Sequence, residues 1–264
     1  MRNANCELRN PANSQFAIRN SQSRSMPAAD PALESQDVRK TFGHFTALAG
    51  VTLRVARGEF VALFGRNGAG KTTFLKVAAT LSRPSSGKIF IEGIDILKDP
   101  GQARRRIGFL SHNASVYRDL SPLENLKFFC RLYGVSDAED RIMALLDRVG
   151  LRRRAGDPVR SLSRGLHQRV GIARVFVHNP TLILLDEPYT GLDAQAAVML
   201  NEVLDEAVQN GKTVVLTTHD IEQGLRAATQ AAVMDRGTLV FAGAAGDPAV
   251  RDAYAHYIRS GTAP

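Results

Sequence analysis

The chain has 264 residues, 44% of them apolar, and a formal charge of +8 at neutral pH. That length suits one continuous core of two lobes, and 11 prolines and 22 glycines are too few for a disordered protein. No run of 18 or more uncharged apolar residues is present, which excludes a membrane-spanning helix, and the only cysteines, Cys6 and Cys130, do not suggest a disulfide framework; a reducing cytosol fits.

Residues 1–33 read as a disordered tail. The first 25 or so are rich in Asn, Ser, Arg and Gln, lack an apolar h-region and cannot bury a core, so they are not a secretory signal. Arginine and serine would suit a transit peptide, but the helical amphipathicity is poor. A flexible tail, or an over-long start with Met26 as the first residue, is the plainer reading. Four arginines against one glutamate over 1–29 place part of the positive charge here.

A single α/β domain is expected over 34–245. Alternating segments near 36–41, 50–56, 60–64 and 88–93 predict strands, several of them antiparallel. Behind the apolar run 59–64 comes Gly65-Arg66-Asn67-Gly68-Ala69-Gly70-Lys71-Thr72-Thr73, the pattern G-x-x-x-x-G-K-[ST] between a strand and a predicted helix over 71–81. Its glycines let the backbone curl and point consecutive N–H groups at one anion, and the helix N-terminus adds its dipole. Lys71 is placed to reach the outer phosphates and Thr72 to put its hydroxyl on Mg²⁺. A nucleoside triphosphate is the expected ligand.

The stretch from about 103 to 160 is helix-rich, with Leu123, Leu126, Phe129 and Leu132 on one periodic face. The basic runs 104–106 and 152–154 read as solvated helix ends rather than a nucleic-acid patch, and would equally suit an anionic membrane surface. Ser163 reads as an N-cap, followed by Val170, Ala173 and Val177 at helical spacing. Residues 181–188 then form a short buried strand of the parallel type ending in Asp186 and Glu187. Acids are tolerated only at the tip of such a strand, where metal or water meets them. Asp186 is the candidate Mg²⁺ holder and Glu187 the candidate general base, a role worth about 10²–10⁴ in rate. A helix near 193–210, a strand at 213–218, a helix near 221–228, a meander near 231–242 and a short helical tail over 246–264 complete the pattern.

From Leu162 to Gln168 the chain resembles the signature motif of ATP-binding-cassette (ABC) ATPases, usually LSGGQ. Thr190-Gly191-Leu192-Asp193 resembles that family's D-loop, Val214 to Asp220 its switch-histidine strand, and Val38 to Gly43 the segment whose aromatic stacks on adenine. The resemblance implies a phosphate-loop NTPase with a RecA-like core, an antiparallel β lobe and an inserted helical lobe at about 103–165 that carries the signature. It implies ATP and Mg²⁺ as ligands, and Phe42 against adenine. His219 is implied as sensor of the γ-phosphate, and Asp193 as the link between two sites, besides capping the next helix. Ser163 and Gly165 would serve the ATP on a second copy in a head-to-tail dimer, formed with itself or a paralogue. The load would be a separate membrane permease gripped by the helical lobe, placing the chain on the cytoplasmic face of the membrane, with no nucleic acid.

Three departures from the family pattern stand out. The family glutamine that joins the γ-phosphate site to the permease is absent where this chain reads Ser111-His112-Asn113. Arg164 and Leu166 replace a glycine and a glutamine of the signature, and Phe42 stands where tyrosine is common. The strings around residues 63–73, 79–84, 110–112 and 162–165 resemble the haem-exporter ATPase of bacterial cytochrome c maturation, and also ATPases of drug-efflux and lipid exporters. The cassette runs 115 residues from Lys71 to Asp186 without a coiled-coil insertion, against an ATPase acting on ribosomes or DNA. A membrane-attached regulator that binds ATP without pumping is the remaining class.

Overall fold

The computed structural model describes residues 31–111, 115–136 and 138–259. The tail up to residue 30, His112 and Asn113, and the last residues of the C-terminal tail lie outside the described residues.

In chain order, β1 (Leu33–Phe42) and β2 (Phe45–Val55) form a hairpin whose turn sets Phe42 opposite Phe45. β3 (Phe60–Gly65) runs into α1 (Lys71–Ala78), which ends early because Thr80 takes a left-handed φ of 62°. β4 (Ser86–Ile91) pairs with β1, and the two-residue β5 (Ile94–Asp95) pairs with β4, closing an antiparallel sheet of order β2-β1-β4-β5. After α2 (Pro100–Arg106) comes β6 (Ile107–Leu110), a strand that the helix-rich reading of this stretch does not anticipate. Four residues carry too little pattern to separate a strand from the end of the preceding helix.

Two helices follow. α3 (Pro122–Tyr133) starts with a reciprocal capping box, Ser121 and Glu124, with Pro122 at its first position, and stops at Gly134 in the left-handed region. α4 (Glu139–Arg148) leads through two single 3₁₀ turns to α5 (Arg164–Phe176). The expected face of α3 is partly displaced: Leu126 is buried but Leu132 is exposed, and Cys130 takes the inward position. Beyond these, β7 (Leu182–Asp186), α6 (Ala194–Gln209), β8 (Thr213–Thr218), the short α7 (Ile221–Leu225), β9 (Gln230–Asp235), β10 (Thr238–Ala244) and α8 (Ala249–Tyr254) finish the domain.

β3, β7 and β8 are buried along their whole lengths, so they need cover on both faces and pair in parallel. The second sheet has the order β10-β9-β3-β8-β7-β6, parallel throughout except for β10 at one edge. Alternate residues separate the two faces. Val61, Leu63, Leu182, Leu184 and Val215 pack with α1 and the antiparallel lobe, whereas Ile183, Leu185, Val214 and Leu216 pack with α3, α5 and α6. Burying each such side chain stabilises by about 1.5–3 kcal/mol before chain entropy is counted. Since β8 lies between β3 and β7, the phosphate loop and the acidic strand end reach the same edge of the sheet, flanking the tip of β8. Among the described residues, no helix is long and apolar enough to cross a membrane.

His178, just past α5, joins the helical part to the sheet. Its ring stacks on Tyr133 of α3 at 3.8 Å and 7°, and its Nε2 lies 3.0 Å from the carbonyl oxygen of Ile107 in β6. Burial pushes its pKa down to about 4, against the hydrogen bond to Ile107 and with help from the positive Arg174, Arg141 and Lys212. The unfolded chain therefore binds the proton first. The stability of this contact is fully present above about pH 6.5 and is lost as pH falls towards 4. We expect His178→Gln to lose less unfolding free energy than the native chain between pH 7 and pH 4.5. Denaturant titrations at the two pH values check this, and equal losses would show that His178 does not set the acid response.

Candidate functional site

The chain turns from β3 into α1 through residues 66–70. A side chain at Gly65 would stand 2.6 Å from the Met234 carbonyl oxygen of β9, and one at Gly70, whose φ is 105°, would stand 2.6 Å from that of Ala47. Only glycine allows the loop to lie this close to the two strands. The loop wraps the Lys71 side chain: Nζ donates to the carbonyl oxygens of Gly65 at 2.6 Å and Arg66 at 3.3 Å, and lies 3.6 Å from Glu187 Oε1. Burial holds the Lys71 pKa below its ordinary value, and the neighbouring Glu187 carboxylate offsets part of that effect.

The acidic strand end is built from the other side. Asp186 is nearly inaccessible and its Oδ1 accepts hydrogen bonds from Thr72 Oγ1 at 2.9 Å and Thr217 Oγ1 at 2.8 Å. Glu187 has a φ of 50°, a left-handed conformation that costs a non-glycine residue about 1–3 kcal/mol and marks functional positions. It is held there because its N–H donates to both the carbonyl and the hydroxyl oxygen of Thr217, each at 3.1 Å. Its Oε2 accepts from Nδ1 of His219 at 2.9 Å, while Oε1 is buried with no hydrogen-bond partner among the described residues. The nearest cation to Oε1 is the Lys71 ammonium at 3.6 Å, an ion pair too long to be a hydrogen bond.

Lys71, Thr72, Asp186 and Glu187 thus line one cleft of about 280 Å³, together with Arg66, Asn67, Gly68, Gly70 and Thr73 of the loop, and Ala47 and Phe45. Ala69, 5% exposed, packs beneath the loop in the core instead. The hydroxyl of Thr72 beside the Asp186 carboxylate is a hard-oxygen pair of the kind Mg²⁺ takes. A neighbouring cleft of about 370 Å³ lies on the far side of Glu187, lined by His219, Asp193, Thr218 and Gln223 among others.

Asp193 caps α6 as expected, its Oδ1 accepting from Ala196 N–H at 2.7 Å. Ser163 caps α5, accepting from Leu166 N–H at 3.4 Å. Neither Ser163 nor Gly165 lines the Lys71 cleft, and a side chain added at Gly165 would meet only the Gly191 carbonyl oxygen, 3.9 Å away. Phe42 is exposed at the hairpin end under the Lys40 ammonium, 4.8 Å from its centroid, and does not line the cleft; Phe45, across the hairpin, does. Two residues that motif reading passes over therefore stand at the site. Phe45 carries only the signal of an exposed aromatic just past the turn, and Thr217 that of a hydroxyl at a fully buried strand end.

Residues 48–190 match the profile of the family described as ABC transporter. The chain is 38% identical over 220 residues to the Nod factor export ATP-binding protein I of Cupriavidus pinatubonensis, covering 83% of this chain and 68% of that one. It is 36% identical over 219 residues to the daunorubicin resistance ATP-binding protein DrrA3 of Streptomyces coeruleorubidus, covering 82% and 69%. The fold superposes on a dimeric post-hydrolysis state of the ATP-binding cassette MJ0796 bound to ADP and Pi, with a TM-score of 0.75, 28% identity, and coverage of 81% of this chain and 99% of that one. The chain belongs to the ABC transporter family and is an ATPase with the phosphate-loop NTPase fold that the sequence predicts.

Thr217 is the common support of both acids. Thr217→Val keeps the shape and removes both hydroxyl contacts. We expect a loss of about 1–3 kcal/mol in stability together with a fall in kcat of at least roughly tenfold, at little change in ATP affinity. Unchanged kcat in a variant that melts normally would show that the hydroxyl does not position the acids.

Proposed function

We propose that this ABC transporter ATPase hydrolyses ATP in a head-to-tail dimer and drives export through a separate permease. The observation that carries the hydrolytic reading is the loose 3.6 Å ion pair between Lys71 Nζ and Glu187 Oε1, an oxygen without a hydrogen bond among the described residues. A terminal phosphate would give Lys71 a closer anion than Glu187, and an attacking water would supply the proton that Oε1 can accept.

Roles follow from position. The backbone of residues 65–73 cradles the phosphates, and Lys71 leaves the Gly65 and Arg66 carbonyls for the β- and γ-phosphates. Thr72 and Asp186 would hold Mg²⁺, which neutralises charge on the phosphate oxygens. Glu187 takes the proton of the water that attacks the γ-phosphorus, and ADP leaves. His219, set beside Glu187 by its Nδ1 contact, would stand next to the γ-phosphate. Phe42 and Phe45, paired across the hairpin, offer aromatic faces to adenine. Ser163 and Gly165 stand outside their own chain's cleft, and the capped, open N-terminus of α5 suits a phosphate presented by a second copy. Asp193 would join the two sites. The dimeric cassette among the structural relatives supports this arrangement.

The permease contact is assigned to the helical part. There Tyr117, Phe128 and Leu132 are exposed, and Tyr117 packs edge-on against Phe128 with ring centroids 4.9 Å apart. Exposed aromatic groups of this kind mark interaction surfaces. Such a contact would place the chain on the cytoplasmic face of the membrane. Relatives named for Nod factor export, daunorubicin resistance and linearmycin resistance favour an export ATPase, with drug efflux among its readings. None of these is named for haem, so cytochrome c maturation gains no support from them and remains one cargo among several.

Glu187→Gln removes the base and keeps the shape. It should slow hydrolysis by roughly 10²–10⁴, retain ATP, and sediment as a dimer only with ATP. Recovered from mildly solubilised native membranes with ATP present, it should bring a multi-span membrane protein with it. Normal hydrolysis would refute the base. Recovery of ribosomal proteins or DNA with no membrane protein would refute the transport reading while leaving the ATPase intact.

A further inference from the structure

We propose that the C-terminal helix α8 positions His219 for hydrolysis, with the Tyr254 hydroxyl as the acting group. This rests on the role assigned to His219 above. The His219 side chain is 66% exposed and, among the contacts the structure shows, meets the site through one hydrogen bond to Glu187. A side chain so little enclosed keeps a fixed geometry only if its backbone is held.

The hold comes from α8, which lies 30 or more residues further along the chain. Tyr254 donates its hydroxyl proton to the carbonyl oxygen of His219 at 2.6 Å. The same ring packs edge-on against Phe64, with centroids 6.0 Å apart and planes at 82°. Phe64 is fully buried and immediately precedes the phosphate loop, so one side chain touches the root of that loop and the backbone of the histidine. A second tie lies one turn away, where Arg251 of α8 makes two hydrogen bonds to the carboxylate of Glu222 in α7, the helix that starts directly after His219 and Asp220. Val250 anchors α8 to the sheet among Ala62, Phe64, Ala231 and Val233. The β8–α7 loop is fixed from its other side as well, since Asp220 N–H donates to Thr218 Oγ1 at 3.0 Å and Asp220 caps α7. Removing the Tyr254 hydroxyl frees the one carbonyl that sits on the histidine itself.

Tyr254 is thus a positioning residue, acting through His219 rather than on ATP. Tyr254→Phe keeps the ring against Phe64 and deletes only the hydroxyl. Steady-state ATPase kinetics and ATP binding should be measured for Tyr254→Phe, His219→Ala and the double variant, with melting temperatures alongside. We expect kcat to fall roughly three- to tenfold in Tyr254→Phe, at unchanged KM, ATP affinity and melting temperature, and no further fall when it is added to His219→Ala. A slow His219→Ala beside a native Tyr254→Phe would overturn this proposal alone. A further loss in the double variant would overturn it too, since Tyr254 would then act elsewhere. A native rate in His219→Ala would remove the role of the histidine, and the proposal with it.

Discussion

The buried Lys71 ammonium and the partly buried Glu187 carboxylate form an ion pair at 3.6 Å, too long for a hydrogen bond, and the site depends on keeping that pair loose. Shortening it to hydrogen-bond distance would leave no place for a substrate between the two groups. The fold prevents this by occupying both partners elsewhere. Lys71 is drawn back by the carbonyl oxygens of Gly65 and Arg66, and Glu187 is held at an unfavourable φ by Thr217 and His219. Each restraint costs free energy that the apolar core supplies, and the result is a set of polar groups already oriented before ligand arrives. Strand order makes it possible: in the parallel register Asp186 lies beside Thr217 and Phe64 beside Thr218, so β8 separates Glu187 from the 65–73 loop by one strand.

Much of this arrangement is legible in the sequence because it rests on local signals. The wholly apolar runs at 60–64, 182–185 and 214–216 announce buried parallel strands, and the glycine pattern ending in Lys71 and Thr72 can be satisfied only by a tight anion-binding turn. Caps read from single residues also hold, as Ser163 and Asp193 show. What escapes depends on distance. β6 is defined by pairing with β7 across more than 70 residues, and nothing local distinguishes it from the arginine-rich helix before it. Leu132 fits the periodicity of α3 but faces outward because α3 ends at Gly134, leaving Cys130 to fill the core. The preference of the cleft for Phe45 over Phe42 follows from the hairpin register, which no motif encodes.

The departures from the signature pattern find a place in the same geometry. The Arg164 guanidinium lies so close to Gly191 that a side chain there would approach its Nε to 3.0 Å, so the residue replacing a glycine covers the turn before Asp193. Four and five residues further along α5, Gln168 donates to the Pro188 carbonyl oxygen and Arg169 lies 3.8 Å from the Asp193 carboxylate, next to Glu187 and the turn at 190–193. This helix is therefore tied, within its own chain, to the segment that follows Glu187. Movement of α5 on dimer closure would be transmitted to Glu187 through these contacts, a two-state element biased by the ligand.

The claim at the centre is that Lys71 waits on backbone carbonyls for a terminal phosphate. Calorimetric titration of the native chain and Lys71→Met with ATP and with AMP, both in the presence of Mg²⁺, tests it most directly. The account predicts that the substitution weakens ATP by at least about tenfold, consistent with a charge-assisted contact, and leaves the weaker AMP binding unchanged. Equal ATP affinity in the two proteins, or a parallel loss for both nucleotides, would contradict it.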